Sequence, residues 1–180
     1  MTHARIEIIL GCMFSGKSTE LLRRCYRYQA IEQNVLLINH SSDTRTDNSI
    51  KTHRNDKHNA LKTNSLMSII DTNEFNNAQI IGIDEAQFFQ DLYSFVINAE
   101  KYDKIIIIAG LDGDFHRKPF GQIMDCIPLC DTVEKLTAMD MIDKDGTPGI
   151  FTKRIVKNNN QVLVGSSDYY MAVSRKNYFT

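Results

Sequence analysis

The chain has 180 residues, of which 42% are hydrophobic and 24% charged, and its formal net charge is −1. This length suits one domain, or one domain with a small lobe, and the composition is typical of a globular protein that can bury a core. A net charge so close to zero provides no global attraction to nucleic acid or to an anionic membrane surface, so we expect no stable nucleic-acid partner.

The sequence shows no pattern that would direct the protein to a membrane or to secretion. No apolar stretch approaches the roughly 18 residues that a membrane helix needs, and no charged-then-apolar leader precedes the first predicted strand. We therefore expect no membrane association and a cytoplasmic location.

The four cysteines, Cys12, Cys25, Cys126 and Cys130, form no C-x-x-C pair. We expect them to be free thiols that act as buried apolar filler.

The N-terminal third alternates apolar runs with helical spacing. Residues 5–10 are predicted as a strand, and residues 18–31 as a helix with an apolar face opposite its arginines. Residues 34–39 are predicted as a second short strand. The polar segment 41–64 is predicted to be a long loop or a mobile excursion.

The central part of the chain carries two continuous aliphatic runs, 78–85 and 104–113, each ending in acidic and glycine residues. Such runs are typical of parallel strands that are covered on both faces. A helix is expected between them, and another short helix at 123–131. Strands that alternate with helices predict an α/β fold with a parallel sheet, flanking helices and right-handed crossovers.

The pattern changes after about residue 139. Turn signals at Asp145-Gly146 and Pro148-Gly149 separate short β-prone pieces. We therefore divide the chain into a P-loop ATP-binding α/β domain, residues 1–139, and a small C-terminal β lobe of hairpins, residues 140–180.

Residues 11–18, GCMFSGKS, fit the pattern G-x-x-x-x-G-K-[ST] between a predicted strand and a predicted helix. In such a loop backbone N–H groups turn toward phosphates, Lys17 reaches the β- and γ-phosphates, and the Ser18 hydroxyl binds Mg²⁺. A glycine-containing turn with a chance lysine is the alternative. We expect ATP and Mg²⁺ as cofactors, held by Gly11, Cys12, Met13, Phe14, Ser15, Gly16, Lys17 and Ser18.

Asp84 and Glu85 stand at the carboxyl end of the run 78–85. Open α/β sheets bind their ligands at this end of the strands. An acidic residue there can hold Mg²⁺ directly or through water, and the adjacent carboxylate can act as a base. Two solvated acids that end a strand are the alternative.

Six stretches together resemble the thymidine kinase family of the cytosolic vertebrate and poxvirus type, and the similarity runs from about residue 6 to 178. They are GCMFSGKSTELLRRCYRYQ (11–29), DTR (43–45), IGIDEAQFF (81–89), AGLDGDFHRKPFGQI (109–123), KLTAM (135–139) and FTKR (151–154). The resemblance implies transfer of the ATP γ-phosphoryl group to the 5′-hydroxyl of thymidine, with deoxyuridine as an additional candidate substrate. It also implies a homotetramer or a dimer.

The family's motifs also imply residue roles. Glu85 matches the general base that accepts the hydroxyl proton, Asp84 and Ser18 match the Mg²⁺ site, and Arg45 matches a charge stabiliser. The polar segment that contains Arg45 is equally compatible with a solvated loop. The nucleotide-binding residues that the motifs add to the phosphate loop are Asp43, Thr44, Arg45, Asp84, Ala86 and Gln87.

The resemblance implies a nucleoside pocket of three parts. Its apolar walls are Met13, Phe88, Leu111, Phe115 and Phe120. Thr152 and Tyr170 match side chains close to the thymine ring. A loop whose backbone grips the base edge is matched by Gln161, Val162, Leu163, Val164 and Gly165. Ordinary core packing is the alternative for the aromatic residues, and we expect it for Phe89 and Phe95.

The sequence departs from the family at a metal site. Members usually carry a structural zinc held by two C-x-x-C pairs, and the matching positions here are Asp140, Asp143, Ser174 and Asn177. Two carboxylates with a serine and an asparagine make a poor Zn²⁺ site. We therefore predict no zinc, and expect a tighter hairpin and packing of Ile142, Ile150 and Phe151 to offset its loss.

Two other functions stay open. The chain is compatible with a nucleic-acid-stimulated P-loop ATPase, because IDEAQ resembles the acidic strand motif of helicases, although its length and charge fit such a motor poorly. It is also compatible with a nucleotide-binding regulatory module without turnover. That alternative requires a lost base or lysine, and the chain retains both.

Overall fold

The computed structural model of the chain describes residues 4–42, 49–51, 57–156 and 167–180, with the backbone alone at 49–51, 57 and 58. Its strands are β1 Arg5–Gly11, β2 Val35–His40, β3 Ser49–Lys51, β4 Lys57–Asn59, β5 Leu61–Thr63, β6 Ile80–Asp84, β7 Ile105–Leu111, β8 Thr132–Leu136, β9 Ala138–Met139, β10 Pro148–Gly149, β11 Phe151–Arg154 and β12 Tyr170–Val173. Its α-helices are α1 Lys17–Gln29, α2 Asn73–Asn77, α3 Leu92–Ala99 and α4 Arg175–Tyr178.

Six strands form one parallel sheet in the order β5-β2-β6-β7-β1-β8. The α/β fold class is therefore confirmed. The aliphatic runs predicted as strands became β1, β2, β6 and β7, which occupy the centre of the sheet. Continuous apolar sequence suits these positions because a central parallel strand is buried on both faces.

The alternation of side chains along the strands divides the core into two layers. Ile8 of β1 packs on the face that Phe75 of α2 and Phe95 of α3 cover. Its neighbour Ile9 packs on the opposite face, against Leu21 of α1. The helix predicted from its apolar spacing thus covers one side of the sheet, and α2 and α3 cover the other.

Arg24 fixes α1 to the sheet by charge as well as by apolar packing. Its guanidinium donates to Glu7 of β1 at 2.8 Å and to Glu20 of its own helix at 2.8 Å, and it also pairs with Glu134 of β8. The hydrogen bonds and positive charges of Arg23 and then Arg24 lower the pKa of Glu20 to about 2. The ion pairs tie the helix that follows the phosphate loop to the strand that precedes it.

Three details of the sequence prediction were wrong. Segment 41–64 is not a continuous loop, because β3 pairs antiparallel with β4 and β5 joins the sheet beside β2. Pro148-Gly149 was predicted as a turn but forms β10, which pairs with β9. Strand β8, which lies beside β1 at the sheet edge, was not predicted. The short helix expected at 123–131 is confirmed as a single 3₁₀ turn over Ile127–Leu129.

The C-terminal part forms a small lobe of antiparallel pairs, as expected. β9, formed by the last two residues of the predicted ATP-binding domain, pairs with β10, β11 pairs with β12, and α4 follows β12. The four cysteines are free thiols; Cys12, Cys25 and Cys126 are buried and Cys130 is partly buried. Within the described ranges, no helix combines the length and apolar character that crossing a membrane requires.

Candidate active site

The loop between β1 and α1 has the backbone geometry of an anion-binding turn. Gly11 has a φ of +151°, and a Cβ there would lie 2.5 Å from the Leu136 carbonyl oxygen. Phe14 and Gly16 adopt left-handed φ values of 68° and 87°. Alternation of this kind turns successive N–H groups toward a common point, and α1 adds the positive end of a helix at Lys17.

The side chain of Lys17 folds back over this loop. Its ammonium donates to the Cys12 carbonyl at 2.7 Å, and the Ser15 hydroxyl donates to the same carbonyl at 2.9 Å. Burial lowers the pKa of Lys17, while the carboxylates of Glu85 and Asp84 oppose that shift. The loop lysine and the acidic pair of β6 therefore belong to one electrostatic site.

The acidic pair lies at the carboxyl end of β6, as the sequence predicts. Asp84 is 3% exposed, and its Oδ1 accepts a hydrogen bond from the Glu85 N–H at 3.0 Å. Glu85 has a left-handed φ of 52°, an uncommon conformation for a residue other than glycine. This turn ends the strand and leaves the Glu85 side chain partly exposed at the carboxyl end of β6.

Asp112 is a member of this site that the sequence analysis did not identify. It directly follows β7, and the negative charge of its carboxylate also opposes the lowering of the Lys17 pKa. Lys135 pairs with Asp112 at 2.6 Å. The available signal was its position, since Asp112 follows a buried strand just as Glu85 does.

Two oxygen donors at this site are of the type that Mg²⁺ prefers, the Asp84 carboxylate and the Ser18 hydroxyl at the start of α1. By donor chemistry these two residues suit the metal that the sequence motif implies. They are not part of a preformed protein cage, because in the part of the chain that the structure describes no three or more His, Cys, Asp and Glu side chains are grouped so that they could hold a metal ion.

Half-buried aromatic rings adjoin the acidic pair. Phe88 follows Glu85 in the chain, and its ring meets that of Phe120 edge-on at 5.6 Å between centroids. His40, at the end of β2, stacks near Phe88 at 5.7 Å. In contrast, Phe89 and Phe95 are fully buried, which confirms their core assignment. The five apolar residues predicted as pocket walls, Met13, Phe88, Leu111, Phe115 and Phe120, are all partly exposed.

Residues of the small lobe contact the phosphate loop and Phe115, one of the predicted pocket residues. The Thr152 hydroxyl accepts a hydrogen bond from the Met13 N–H at 3.0 Å, so this predicted pocket residue contacts the phosphate loop. Arg154, which the sequence analysis quoted only within the FTKR motif, donates to the Tyr170 hydroxyl at 2.6 Å. Its guanidinium also lies 3.7 Å from the centroid of the Phe115 ring. Long-range contacts of this kind leave no signal in local sequence spacing.

Two groups of predicted site residues lie outside the described residues. The first is Asp43, Thr44 and Arg45 of the DTR motif. The second is the base-gripping stretch Gln161, Val162, Leu163, Val164 and Gly165. The structure therefore brings together the phosphate loop and the acidic pair, with the contacting rings of Phe88 and Phe120 following Glu85, and these two groups stay predictions.

The four positions that match the family's zinc ligands form a hydrogen-bonded cluster. Asp140 is 1% exposed, and its Oδ1 accepts from the Ser174 N–H at 2.6 Å. Its Oδ2 accepts from the Asp143 N–H at 2.7 Å, the Asn177 side-chain amide at 2.8 Å and the Ile142 N–H at 3.2 Å. A zinc ion would have to compete with these donors for the Asp140 oxygens.

The cluster is a poor fit for zinc by its chemistry as well. Across the described ranges, no three or more His, Cys, Asp and Glu side chains are grouped so that they could hold a metal. Burial alone raises the pKa of Asp140, but the hydrogen bonds outweigh it and hold the pKa at about 2. The expectation that apolar packing of Ile142 offsets the missing metal was wrong, because Ile142 is 44% exposed. Polar contacts to Asp140 join these segments instead.

Comparison with known proteins gives concordant matches over nearly the whole chain. The family model described as thymidine kinase matches residues 4–178. The thymidine kinase of Sheeppox virus (strain KS-1) is 43% identical over 180 residues, covering 99% of each chain. Those of Raccoon poxvirus and Vaccinia virus (strain Western Reserve) are 43% and 39% identical, covering 99% of this chain and 98% of their own.

Proposed function

Since the chain belongs to the thymidine kinase family, we propose that it transfers the γ-phosphoryl group of ATP to the 5′-hydroxyl of thymidine to give dTMP, with deoxyuridine as an additional substrate. The observation that carries this proposal is the electrostatic interaction between the Lys17 ammonium and the Glu85 carboxylate at the carboxyl ends of the parallel strands. Lys17 suits the phosphates of ATP, and Glu85 suits the 5′-hydroxyl of thymidine. The half-buried Phe88, three residues after Glu85, contacts the ring of Phe120.

The phosphate loop and α1 hold the donor. Backbone N–H groups of residues 11–18 and the N-terminus of α1 face the phosphate charge. Lys17 exchanges its contact with the Cys12 carbonyl for the β- and γ-phosphates, so a fixed positive charge meets the negative charge that develops during transfer. Ser18 and Asp84 would hold Mg²⁺, which would neutralise negative charge on the phosphate oxygens.

Glu85 is the proposed catalytic base. It accepts the proton of the 5′-hydroxyl as the nucleoside oxygen attacks the γ-phosphorus in line, and it loses that proton to solvent after product release. The position of Glu85 supports this role, because it directly follows β6 at the carboxyl ends of the parallel strands, where α/β sheets bind their ligands. Water must be excluded while this step occurs.

The acceptor pocket is proposed to form between the main sheet and the small lobe. Met13, Phe88, Leu111, Phe115 and Phe120 provide apolar walls, and Thr152 and Tyr170 close the lobe side. We further propose that the stretch 161–165 pairs its backbone with the base edge, since a wrong edge would leave buried polar groups unpaired. Residues 43–45 and Ala86 complete the nucleotide side, with Arg45 as a charge stabiliser.

We propose that two parts of the chain bind the two substrates. Residues 1–139 form the ATP-binding domain, and residues 140–180 form the nucleoside-covering lobe. The enzyme is proposed to act in the cytoplasm as a homotetramer or dimer.

The decisive experiment compares transfer with hydrolysis. Purified protein is incubated with Mg-ATP and either thymidine or single-stranded DNA, and both dTMP and ADP are quantified. We expect ADP to form with thymidine and in equal amount to dTMP. ADP that rises with DNA and without dTMP would indicate a nucleic-acid-stimulated ATPase, and ATP binding without either product would indicate a regulatory module.

A further inference from the structure

The carboxylate of Glu85 is held by a buried neighbour. The side-chain amide of Gln87 donates to Glu85 Oε2 at 2.6 Å. Gln87 itself is 0% exposed, so this donor is shielded from water. A hydrogen bond to an ionised acceptor in such a place is stronger than one between neutral groups.

The other end of the same amide is fixed to the central sheet. Oε1 of Gln87 accepts a hydrogen bond from the Leu111 N–H, at the end of β7, at 3.0 Å. Because the Leu111 N–H can only donate, the amide oxygen must face it and the amide nitrogen must face Glu85. The orientation of the Gln87 side chain is thus determined by its two partners.

The strand beside Gln87 leaves room for this arrangement. A Cβ at Gly110 would lie 2.8 Å from Gln87 Oε1, closer than real Cβ atoms approach other atoms. A side chain at residue 110 would therefore displace the amide oxygen. The glycine in β7 allows the amide to bridge β7 and the turn after β6.

From this bridge we infer that Gln87 is a positioning residue for the base, and this inference rests on the proposed role of Glu85. Gln87 links the Glu85 carboxylate to the rigid end of β7, where Leu111 contributes to the proposed pocket wall. A glutamate side chain otherwise samples several rotamers, and misplacement of a base by about 1 Å can cost on the order of a hundredfold in rate. Since the amide is buried and both its ends are engaged within the protein, Gln87 acts on the reaction through Glu85 rather than by binding the nucleotide.

The inference is tested with two substitutions of Gln87. Gln87→Met keeps the length of the side chain and removes both polar ends. Gln87→Glu keeps an oxygen for the Leu111 N–H but replaces the donor to Glu85 with a second carboxylate. For each variant, kcat and the KM values for thymidine and ATP are measured, and the thermal midpoint reports folding. If Gln87→Met does not fold, Gln87→Glu decides, because it retains the contact to the sheet.

We expect kcat to fall about 10- to 100-fold with both KM values within about twofold of the parent. A residue that only supports the fold would change the thermal midpoint and leave kcat of the folded enzyme unchanged, which would overturn the inference. The same substitutions are made beside Glu85→Gln. Where the base is already absent, loss of Gln87 is expected to slow the reaction by less than about threefold.

Full additivity of the two losses would also overturn the inference, because Gln87 would then act independently of Glu85. Failure of the proposed function has a different signature. If Glu85→Gln alone retains the parental kcat, the assignment of the base is wrong. If Glu85→Gln is impaired and the Gln87 variants are not, the base stands and only the positioning role is lost.

Discussion

The backbone N–H of Met13 donates a hydrogen bond to the hydroxyl of Thr152 at 3.0 Å. Met13 belongs to the phosphate loop and Thr152 to β11 of the small lobe. Beside this bond the Cys12 thiol donates to the Gly149 carbonyl at 3.2 Å. The loop proposed to hold ATP is therefore joined directly to the lobe proposed to cover the nucleoside.

Replacing Thr152 with valine is expected to lower the free energy of unfolding by about 1–3 kcal/mol, because the Met13 N–H loses its acceptor in a site where residue 152 is 5% exposed. Urea unfolding measures the change, and Thr152→Ser is the matched control because it keeps the hydroxyl. We also expect a higher KM for thymidine in the valine variant. A valine variant as stable as the parent would show that this bond does not join the two parts.

Replacing Glu85 with glutamine is expected to reduce kcat by roughly 10²–10⁴-fold while ATP binding is retained, because the side chain keeps its size but cannot accept the proton. Steady-state phosphorylation and calorimetric ATP titration provide the two readouts. The exposed Glu100→Gln serves as control and should behave like the parent. An unchanged kcat in Glu85→Gln would remove Glu85 from the mechanism.

Replacing Lys17 with alanine is expected to weaken ATP binding and to reduce kcat by about 10²–10³-fold, since a fixed positive charge is lost at the transferring group. ATP titration and turnover under saturating thymidine separate the two effects. Lys101→Ala, on the exposed surface, is the control. Normal ATP affinity in Lys17→Ala would mean that Lys17 does not contact the phosphates.

The Asp140 cluster predicts a pH dependence of stability. The pKa of Asp140 is about 2 in the folded protein, below its ordinary value of 3.8. Its contribution to stability is therefore complete above pH 3.8 and is lost as the pH falls toward 2. Asp140→Asn is expected to lower the Tm by several degrees at neutral pH, and this difference should narrow over the same acidic range.

Asp143→Asn is the matched control for that series. The Asp143 carboxylate pairs with Lys176 at the surface at 3.1 Å, and exposed pairs contribute little. Metal analysis of the purified protein is expected to find no stoichiometric zinc, and chelation is expected to leave the Tm unchanged. Bound zinc whose removal lowers the Tm would contradict the replacement of the metal by hydrogen bonds.

The central strands were predictable because burial on both faces demands a continuous apolar run. Residues 80–84 and 105–111 carry that signal without ambiguity. The strand at 132–136 does not, because an edge position tolerates the exposed charged residues of TVEKL. β5 has only three residues and gains its strand structure from pairing with β2, which no local pattern encodes.

The site was predictable to the extent that its motifs are local. Gly11 to Ser18 and the pair Asp84-Glu85 each occupy adjacent positions, and the strand ends bring them together. The role of Asp112 depends on its interaction with the distant Lys17, and that of Gln87 combines a local bond to Glu85 with a bond to Leu111, 24 residues away in the chain. The polar cluster around Asp140 likewise joins positions 34 and 37 residues apart in the chain, so the sequence revealed the missing thiolates but not their replacement.

The most direct test of the proposed kinase activity is phosphorylation of thymidine, deoxyuridine, deoxycytidine, deoxyadenosine and deoxyguanosine, each incubated separately with the purified protein and Mg-ATP. We predict robust product from thymidine, additional product from deoxyuridine, and little from the other deoxynucleosides tested. Preferred phosphorylation of a purine nucleoside or of deoxycytidine would contradict the proposed base pocket. Absence of product from all of them, with ATP still bound, would contradict the proposed kinase.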